Sequence, residues 1–257
     1  CYRIMPTIEN TMKGTLLDEV VRRQRDLYDG PDIDAKLERL IRGSSPCGLT
    51  SWDIQRMLRP ARAVYFDTHV EVASGHHTAT YLRFESIARF PQLVTLIARD
   101  MAEWVGRTFE KEAPTGIVAP SSDARLLAER VSELLADRMP LPAVLTPFNH
   151  DTGKIGTDVP AGSVQAGERF LSLNDVTTRG MCVSKLGKVV TDHDGRLAGM
   201  MVFARRDSGQ FPLMDELTAV HPFYWSVDLA MPQWEPSDCP LCREHRPLFL
   251  WKDLPEL

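Results

Sequence analysis

The sequence lacks several features that would each indicate a particular class of protein. No apolar run approaches the roughly 20 residues needed to span a membrane, and the first residues show no signal-peptide core. The 30 basic residues are outnumbered by 35 acidic ones, giving a net charge of −5. A general basic surface for nucleic acid is therefore missing. We expect neither a nucleic-acid partner nor a membrane partner, and any phosphate site must be local.

Cysteine is also scarce. The five cysteines are odd in number and widely scattered, which excludes a disulfide framework and favours a reduced, cytoplasmic setting. What is present is the composition of an ordinary globular protein, with 43% hydrophobic and 25% charged residues. A chain of 257 residues is long enough to bury a large core in one elaborated domain.

Hydrophobic periodicity divides the chain into three predicted parts. Residues 1–62 show helical spacing and are predicted to form an N-terminal helical arm. Residues 63–210 begin with a β-rich, hairpin-like stretch and then alternate strands with helices. Such alternation predicts an α/β fold, in which helices flank a parallel sheet on both faces. Residues 211–257 are predicted to form a small C-terminal appendage.

A long polar stretch, residues 148–167, interrupts this alternation. Loops of that length inside compact domains usually serve as lids or binding loops. We therefore predict a lid, and a loop that is merely mobile is the alternative.

The most informative segment is residues 169–181, RFLSLNDVTTRGM. An apolar strand is predicted to end at Asn174-Asp175, and a hydroxyl-rich turn then opens a helix. Unpaired amides and the helix dipole favour an anion there, and the hydroxyls of Thr177 and Thr178 add donors. The carboxylate of Asp175 is suited to accept hydrogen bonds from sugar hydroxyls. The segment therefore predicts a ribose 5-phosphate site, with an ordinary capped turn as the alternative.

Four segments resemble one family in its own order. Residues 173–180 resemble the 5-phosphoribosyl 1-pyrophosphate (PRPP) motif of type I phosphoribosyltransferases. Residues 70–82 are similar to the N-terminal hairpin of orotate phosphoribosyltransferases, and residues 117–128 lie where that family has its pyrophosphate loop. Residues 199–209 resemble its late core strand. The resemblance implies a type I phosphoribosyltransferase-like (Rossmann-like) α/β fold with an N-terminal arm or hood and a Cys-containing appendage.

The resemblance also assigns roles to individual residues. Those implied to bind PRPP are Ser121, Ser122, Asn174, Asp175, Val176, Thr177, Thr178, Arg179 and Gly180. Those implied in catalysis are Asp175, His77, His150 and Lys154. Thr178 and Arg205 are implied to contact the acceptor.

As a function, the resemblance implies a Mg²⁺-dependent, homodimeric glycosyltransferase of nucleotide biosynthesis. It would transfer ribose 5-phosphate from PRPP to a nitrogen heterocycle, carboxylated like orotate, and release pyrophosphate. The chain departs from the family at Asn174, which replaces an acid, and at Met181, which replaces a hydroxyl residue. The lid offers only His150 and Lys154 as basic groups. These departures favour an alternative, a non-catalytic protein that senses PRPP or a nucleotide.

One further motif lies near the C terminus. Cys239-Pro-Leu-Cys242, with His245 three residues later, is typical of half a zinc site. His69, His76 and Cys47 are candidates for the remaining ligands, and the predicted set is Cys239, Cys242, His245 and His69. Plain buried thiols and a redox pair are the alternatives. A protein that acts mainly as a zinc-stapled interaction module is a third functional hypothesis.

Overall fold

The computed structural model describes residues 5–206 and 212–257. In these residues the helices are α1 (Met5–Asp29), α2 (Ile33–Leu40), α3 (Ser51–Ala61), α4 (Phe84–Ala88), α5 (Pro91–Thr108), α6 (Ala124–Leu135), α7 (Met181–Thr191), α8 (Pro212–Val220) and α9 (Pro240–Arg243). The strands are β1 (Ile41–Ser44), β2 (Val64–Tyr65), β3 (Val70–Glu71), β4 (His77–Thr78), β5 (Tyr81–Leu82), β6 (Gly116–Pro120), β7 (Ala143–Thr146), β8 (Phe148–Asn149), β9 (Lys154–Ile155), β10 (Arg169–Thr177), β11 (Arg196–Arg206), β12 (Phe223–Leu229), β13 (Gln233–Trp234) and β14 (Phe249–Leu250). Of the helices in this part of the chain, none combines the length and apolar character needed to cross a membrane.

The central sheet has the strand order β1-β12-β11-β10-β6-β7. All neighbouring pairs are parallel except β1 and β12, which pair antiparallel at one edge. Along the chain, β7 is added beside β6 on one side of the sheet, and β11 and β12 are then added in turn beside β10 on the other side. The strand order therefore reverses between β6 and β10. In open α/β sheets a ligand binds at the carboxyl ends of the strands beside such a reversal.

Helices cover both faces of this sheet, as the alternating pattern predicts. In β6, Ile117 and Ala119 pack in the cluster formed with α2 to α6, whereas Val118 packs in a cluster with α7. In β11, Met201 and Phe203 join the first cluster and Val202 packs toward α7 and α8. Strands buried on both faces explain the continuous apolar runs of the sequence. Each fully buried large side chain contributes roughly 1.5–3 kcal/mol.

A second sheet, which we call the hood sheet, has the order β13-β4-β3-β14. The predicted hairpin is present as the antiparallel pair β3 and β4, closed by a turn in which Gly75 has φ +81°. Strands from the C-terminal segment extend it on both sides, β13 next to β4 and β14 next to β3. The hood sheet therefore joins two segments that are far apart in the sequence.

The predicted three-part division does not follow the hydrogen bonding of the strands. The predicted arm contains helices, but β1 lies among them and pairs with β12, so both belong to the central sheet. Local pattern could not assign β1, because its partner lies far along the chain. The second predicted boundary, between residues 210 and 211, lies outside the described residues. The division into three domains stays a prediction.

Candidate active site

A cleft of about 380 Å³ opens where the strand order reverses. Its floor is formed by residues 174–179 at the end of β10 and by Ser122 and Asp123 after β6. Its walls come from the hood turn, from a small hairpin formed by β8 and β9, and from the C-terminal segment. The topology thus brings the two predicted phosphate-binding segments to one edge of the sheet.

The strand that supplies the motif is longer than predicted. β10 continues to Thr177, because Val176 and Thr177 still pair with β11. The turn is therefore limited to residues 178–180, and Gly180 with φ +81° is the N-cap of α7. A side chain at Gly180 would also lie 3.3 Å from Met214 and Leu217. Glycine is required here by both the left-handed backbone and the close approach.

The turn presents hydrogen-bond donors toward the cleft. Amides in the first turn of a helix lack intrahelical partners, and α7 begins directly after the turn. The buried hydroxyl of Thr177 has no hydrogen-bond partner among the described residues. A buried hydroxyl is usually paired, so this one is suited to a ligand oxygen.

Asp175 is the electrostatic centre of the floor. Burial raises the pKa of its carboxyl to about 6, and the nearby Asp123 and Glu85 act in the same direction. A hydrogen bond from the backbone N–H of Val176, 2.7 Å long, partly opposes the rise. Burial, followed by Glu85, also raises the pKa of Asp123. The floor therefore holds carboxylates whose charge is poorly compensated, a setting typical of functional sites.

The arginine predicted to contact the acceptor lies elsewhere. Arg205 donates to Asp228 at 3.1 Å and stacks 3.7 Å above the ring of Trp225, in a surface groove beside α8. The next residue, Arg206, lines the cleft and donates through Nε to the hydroxyl of Thr178 at 2.8 Å. Consecutive strand residues point to opposite faces, which explains why Arg206 lines the cleft and Arg205 does not.

Two of the predicted catalytic residues do not line the cleft. Lys154 is exposed on β9, whereas His150, on the same hairpin, does line it. His77 is buried in β4, away from the cleft lining. The remaining predicted contacts divide similarly: Ser122 lines the cleft, whereas the amide of Ser121 donates to the carbonyl of Thr146.

His77 instead belongs to a group with His69, Cys239 and Cys242, whose candidate ligand atoms all lie within 4.8 Å of one another. The predicted ligand His245 lies outside this group: it is exposed and has φ +53° just beyond the end of α9. The chain turns there, with the amide of Arg246 bonded back to the carbonyl of Leu241. His76, an alternative candidate, contacts Glu235 at 2.7 Å instead.

Several residues of the cleft were missed by sequence reasoning. Asp123 follows directly after two predicted contacts and could have been found from that turn. Arg83 and Glu85, which pair with each other at the cleft wall, carry no recognisable motif. Trp251 and Lys252 reach the cleft only because the C-terminal segment folds back onto the hood sheet.

A carboxylate also connects the floor of the cleft to the hood. Glu235, just after β13, accepts from Arg179 of the turn at 3.3 Å and contacts His76 of the hood at 2.7 Å. The hydrogen bond with His76 lowers the pKa of Glu235. The turn before α7 is thereby tied to the hood sheet.

The chain has relatives among known proteins. The chain is 28% identical over 197 residues to orotate phosphoribosyltransferase of Thermus thermophilus, covering 76% of this chain and 98% of the relative. It is 25% identical over 180 residues to the orotate phosphoribosyltransferase of Caldicellulosiruptor saccharolyticus, covering 70% and 85%. No protein-family model matches the chain.

Among solved structures, UMP synthase of Leishmania donovani superposes with a TM-score of 0.50 at 15% identity. The superposition covers 67% of this chain and 35% of that one, and at this identity it shows the fold alone. The similarity of sequence extends over most of the chain and over nearly the whole length of its Thermus relative. The sequence similarity and the shared fold both support placing this chain with the orotate phosphoribosyltransferase-like members of the type I phosphoribosyltransferase family.

Proposed function

We propose that this protein transfers ribose 5-phosphate from PRPP to orotate or a closely similar carboxylated nitrogen heterocycle and releases pyrophosphate. The observation that carries the proposal is the meeting of Asp175 and the 178–180 turn in one cleft where the strand order reverses. The relatives named orotate phosphoribosyltransferase support the reaction class.

The floor of the cleft is suited to the ribose 5-phosphate part of PRPP. We assign the 5-phosphate to the end of β10 and the turn that follows, where Thr177, Thr178 and the first amides of α7 offer donors. We assign the ribose hydroxyls to Asp175, with Asn174 bracing the strand end through a 2.9 Å bond to the carbonyl of Val176. An ionised carboxylate beside the ribose also favours the positive charge that develops at the anomeric carbon as pyrophosphate departs.

The residues of the floor fit a requirement for Mg²⁺. Asp175 and Asp123 of the floor and Glu85 of the adjacent wall are hard oxygen donors, the type that Mg²⁺ prefers. Burial is the main cause of the raised pKa of Asp175, and repulsion by the other two carboxylates adds to it. A divalent ion bound together with PRPP would relieve that repulsion. When bound, the ion neutralises charge on the departing pyrophosphate. Ser122, at the end of β6, is our candidate for a direct pyrophosphate contact.

Arg206 is our candidate for the residue that recognises the carboxylate of the acceptor. Its guanidinium lines the cleft beside Thr178. With the amide of Gln233 oriented to satisfy both groups, the side-chain oxygen of Gln233 accepts from Arg206 Nη1 at 3.2 Å. A guanidinium held in this way is preorganised for a planar carboxylate.

The hairpin of β8 and β9, residues 148–155, is our candidate for the lid. His150 reaches the cleft from it, and Gly153 packs against Ala73 of the hood and against Trp251. Closure of such a segment excludes water and completes the positioning of the reactants.

A second candidate function is non-catalytic sensing of PRPP or a nucleotide. The specific observation in its favour is that Lys154 does not line the cleft, which leaves His150 as the basic residue of the candidate lid that does. Tight binding of PRPP without turnover on any acceptor would support sensing, and turnover on any acceptor would exclude it.

The decisive experiment measures pyrophosphate release from PRPP with Mg²⁺ and a panel of acceptors. We expect turnover with orotate, and loss of activity in Asp175→Ala. Arg206→Lys should raise KM for the acceptor by about 10–100-fold, since a hydrogen bond to a charged group contributes about 1.5–3 kcal/mol. The matched control, Arg205→Lys, should leave KM unchanged. Absence of PRPP binding by calorimetry with Mg²⁺ present would exclude the proposal.

The homodimer and the cytoplasmic location expected from the sequence stay predictions. Gel filtration with light scattering measures the first, and fractionation of the source cells measures the second.

A further inference from the structure

We propose that His69, His77, Cys239 and Cys242 form a structural zinc site that fastens the C-terminal segment to the hood sheet. The candidate ligand atoms of these four side chains all lie within 4.8 Å of one another. His69, His77 and Cys239 are buried, and Cys242 is half-buried. The group is separate from the cleft lining and is not used in the transfer reaction proposed above.

The distances among the ligand atoms are close to those of tetrahedral coordination: two lie in the expected range and two are about 0.1–0.3 Å shorter. Zinc lies about 2.0–2.1 Å from nitrogen and about 2.3 Å from sulfur, which places tetrahedral ligand atoms about 3.3–3.8 Å apart. Nε2 of His69 lies 3.0 Å from Nδ1 of His77 and 3.5 Å from Sγ of Cys239. Sγ of Cys242 lies 3.7 Å from His69 Nε2 and 3.2 Å from His77 Nδ1. The four atoms therefore surround a point that a zinc ion would occupy.

One outer hydrogen bond and one outer contact with a carboxylate favour the tautomers that bind metal. Nδ1 of His69 contacts the carbonyl of Arg246 at 3.0 Å, and a carbonyl only accepts, so this nitrogen holds the proton. The lone pair of His69 then lies on Nε2, the nitrogen that points into the group. Nε2 of His77 faces the carboxylate of Glu71 at 3.7 Å, which favours a proton there and a lone pair on Nδ1. Two lone pairs 3.0 Å apart repel each other unless a cation lies between them. Such outer partners are usual for zinc-bound histidines.

The ligand types indicate which metal is bound. Two thiolates and two imidazoles in tetrahedral arrangement are typical of structural zinc, whereas Mg²⁺ and Ca²⁺ prefer oxygen ligands. A set of four protein ligands leaves no open position for a substrate, so the site is structural and not catalytic.

The site would join segments that are 170 residues apart in sequence, as His69 and Cys239 are. His69 precedes β3 and His77 lies in β4, whereas Cys239 is the N-cap of α9 and Cys242 lies within that helix, between β13 and β14. The metal would therefore hold β13 and β14 against the hood hairpin. These same segments supply Gln233, Trp251 and Lys252 to the wall of the cleft. Loss of the metal should loosen that wall.

The test measures the metal content of the full chain. The protein is purified without chelator and its metals are quantified by inductively coupled plasma mass spectrometry. We expect about one zinc per chain. His77→Gln and Cys242→Ser should reduce this to near zero, whereas His245→Gln, the control at an exposed histidine next to the same motif, should retain it. Zinc retention in His77→Gln together with loss in His245→Gln would overturn the assignment.

A second measurement serves if the ligand variants fail to fold. Cobalt-substituted wild-type protein should show the visible absorption of tetrahedral Co²⁺ and a near-ultraviolet thiolate charge-transfer band. X-ray absorption of the zinc form should give two sulfur and two nitrogen neighbours. Wild-type protein that takes up no zinc against a weak chelator, or whose Cys239 and Cys242 are found joined as a disulfide, would refute the proposal. Because the readout is metal content, this result does not depend on whether PRPP is turned over.

Discussion

Asp175→Asn should stabilise the protein while it abolishes activity. The folded environment raises the pKa of this carboxyl from 3.8 to about 6, mainly through burial. At 1.36 kcal/mol per pKa unit, the ionised carboxylate at pH 7 costs about 3 kcal/mol relative to the unfolded chain. Asparagine is nearly isosteric and uncharged, and its oxygen still accepts from the amide of Val176. The substitution therefore removes most of this cost.

The stability difference between wild type and Asp175→Asn should depend on pH in a definite direction. Because the pKa of Asp175 is higher in the folded chain, the folded chain stays protonated at this residue to a higher pH than the unfolded chain. Wild-type stability should therefore fall relative to Asp175→Asn between about pH 4 and pH 6 and remain lower above that range. At pH 4 both forms are uncharged in the folded state, so the difference should nearly vanish.

The assay is urea unfolding at pH 7.5 and at pH 4, compared through the midpoint with m held constant. At pH 7.5 we expect a gain approaching 3 kcal/mol, which corresponds to roughly 5–10 °C in Tm. The control is Asp137→Asn in the exposed turn after α6, which should change stability by less than about 0.5 kcal/mol. A less stable Asp175→Asn at pH 7.5, or an equal gain at both pH values, would refute the reasoning.

Three further predictions concern the same cleft. Gly180→Ala should lower the free energy of unfolding by about 1–2 kcal/mol and weaken PRPP binding. The added methyl group would sit on a backbone with positive φ and would contact Met214 and Leu217 at 3.3 Å. The control is Gly75→Ala, which has the same φ but open space around it; it should lose less stability and bind PRPP normally. Equal losses of stability in the two variants, measured by unfolding, would contradict the steric explanation. PRPP affinity measured by calorimetry should fall as pH drops through about 6, since protonated Asp175 accepts fewer hydrogen bonds, and a flat profile down to pH 5 would count against its role. Glu235→Gln should raise KM for PRPP roughly two- to fivefold with kcat little changed, because an exposed ion pair is weak. An unchanged KM would mean that the ion pair with Arg179 does not contribute to PRPP binding.

Much of the fold and part of the cleft could be predicted from local sequence. The apolar runs and their alternation with helices identify a parallel sheet, because strands buried on both faces need apolar side chains throughout. The motif around Asp175 indicates a phosphate site, because its residue types suit a turn between a strand and a helix. The paired cysteines indicate a metal, because their spacing places two thiols on one short turn.

Partners that are distant in sequence could not be predicted in this way. Whether Arg205 or Arg206 enters the cleft depends on the register of β11 against its neighbours, and adjacent strand residues point to opposite sides. The fourth member of the Cys and His group is His77 and not His245, because the C-terminal segment folds back onto the hood hairpin. β1 joins the central sheet only through its pairing with β12.

By itself, then, the sequence determined the type of each main element and the chemistry of residues 174–180, because both depend on neighbouring residues. Only the tertiary structure decided which distant side chains meet: Asp123 and Glu85 around Asp175, Arg206 beside Thr178. The physical reason is that burial and electrostatic interaction depend on distance in space. The raised pKa of Asp175 exists only when the folded chain removes it from water and brings other carboxylates near.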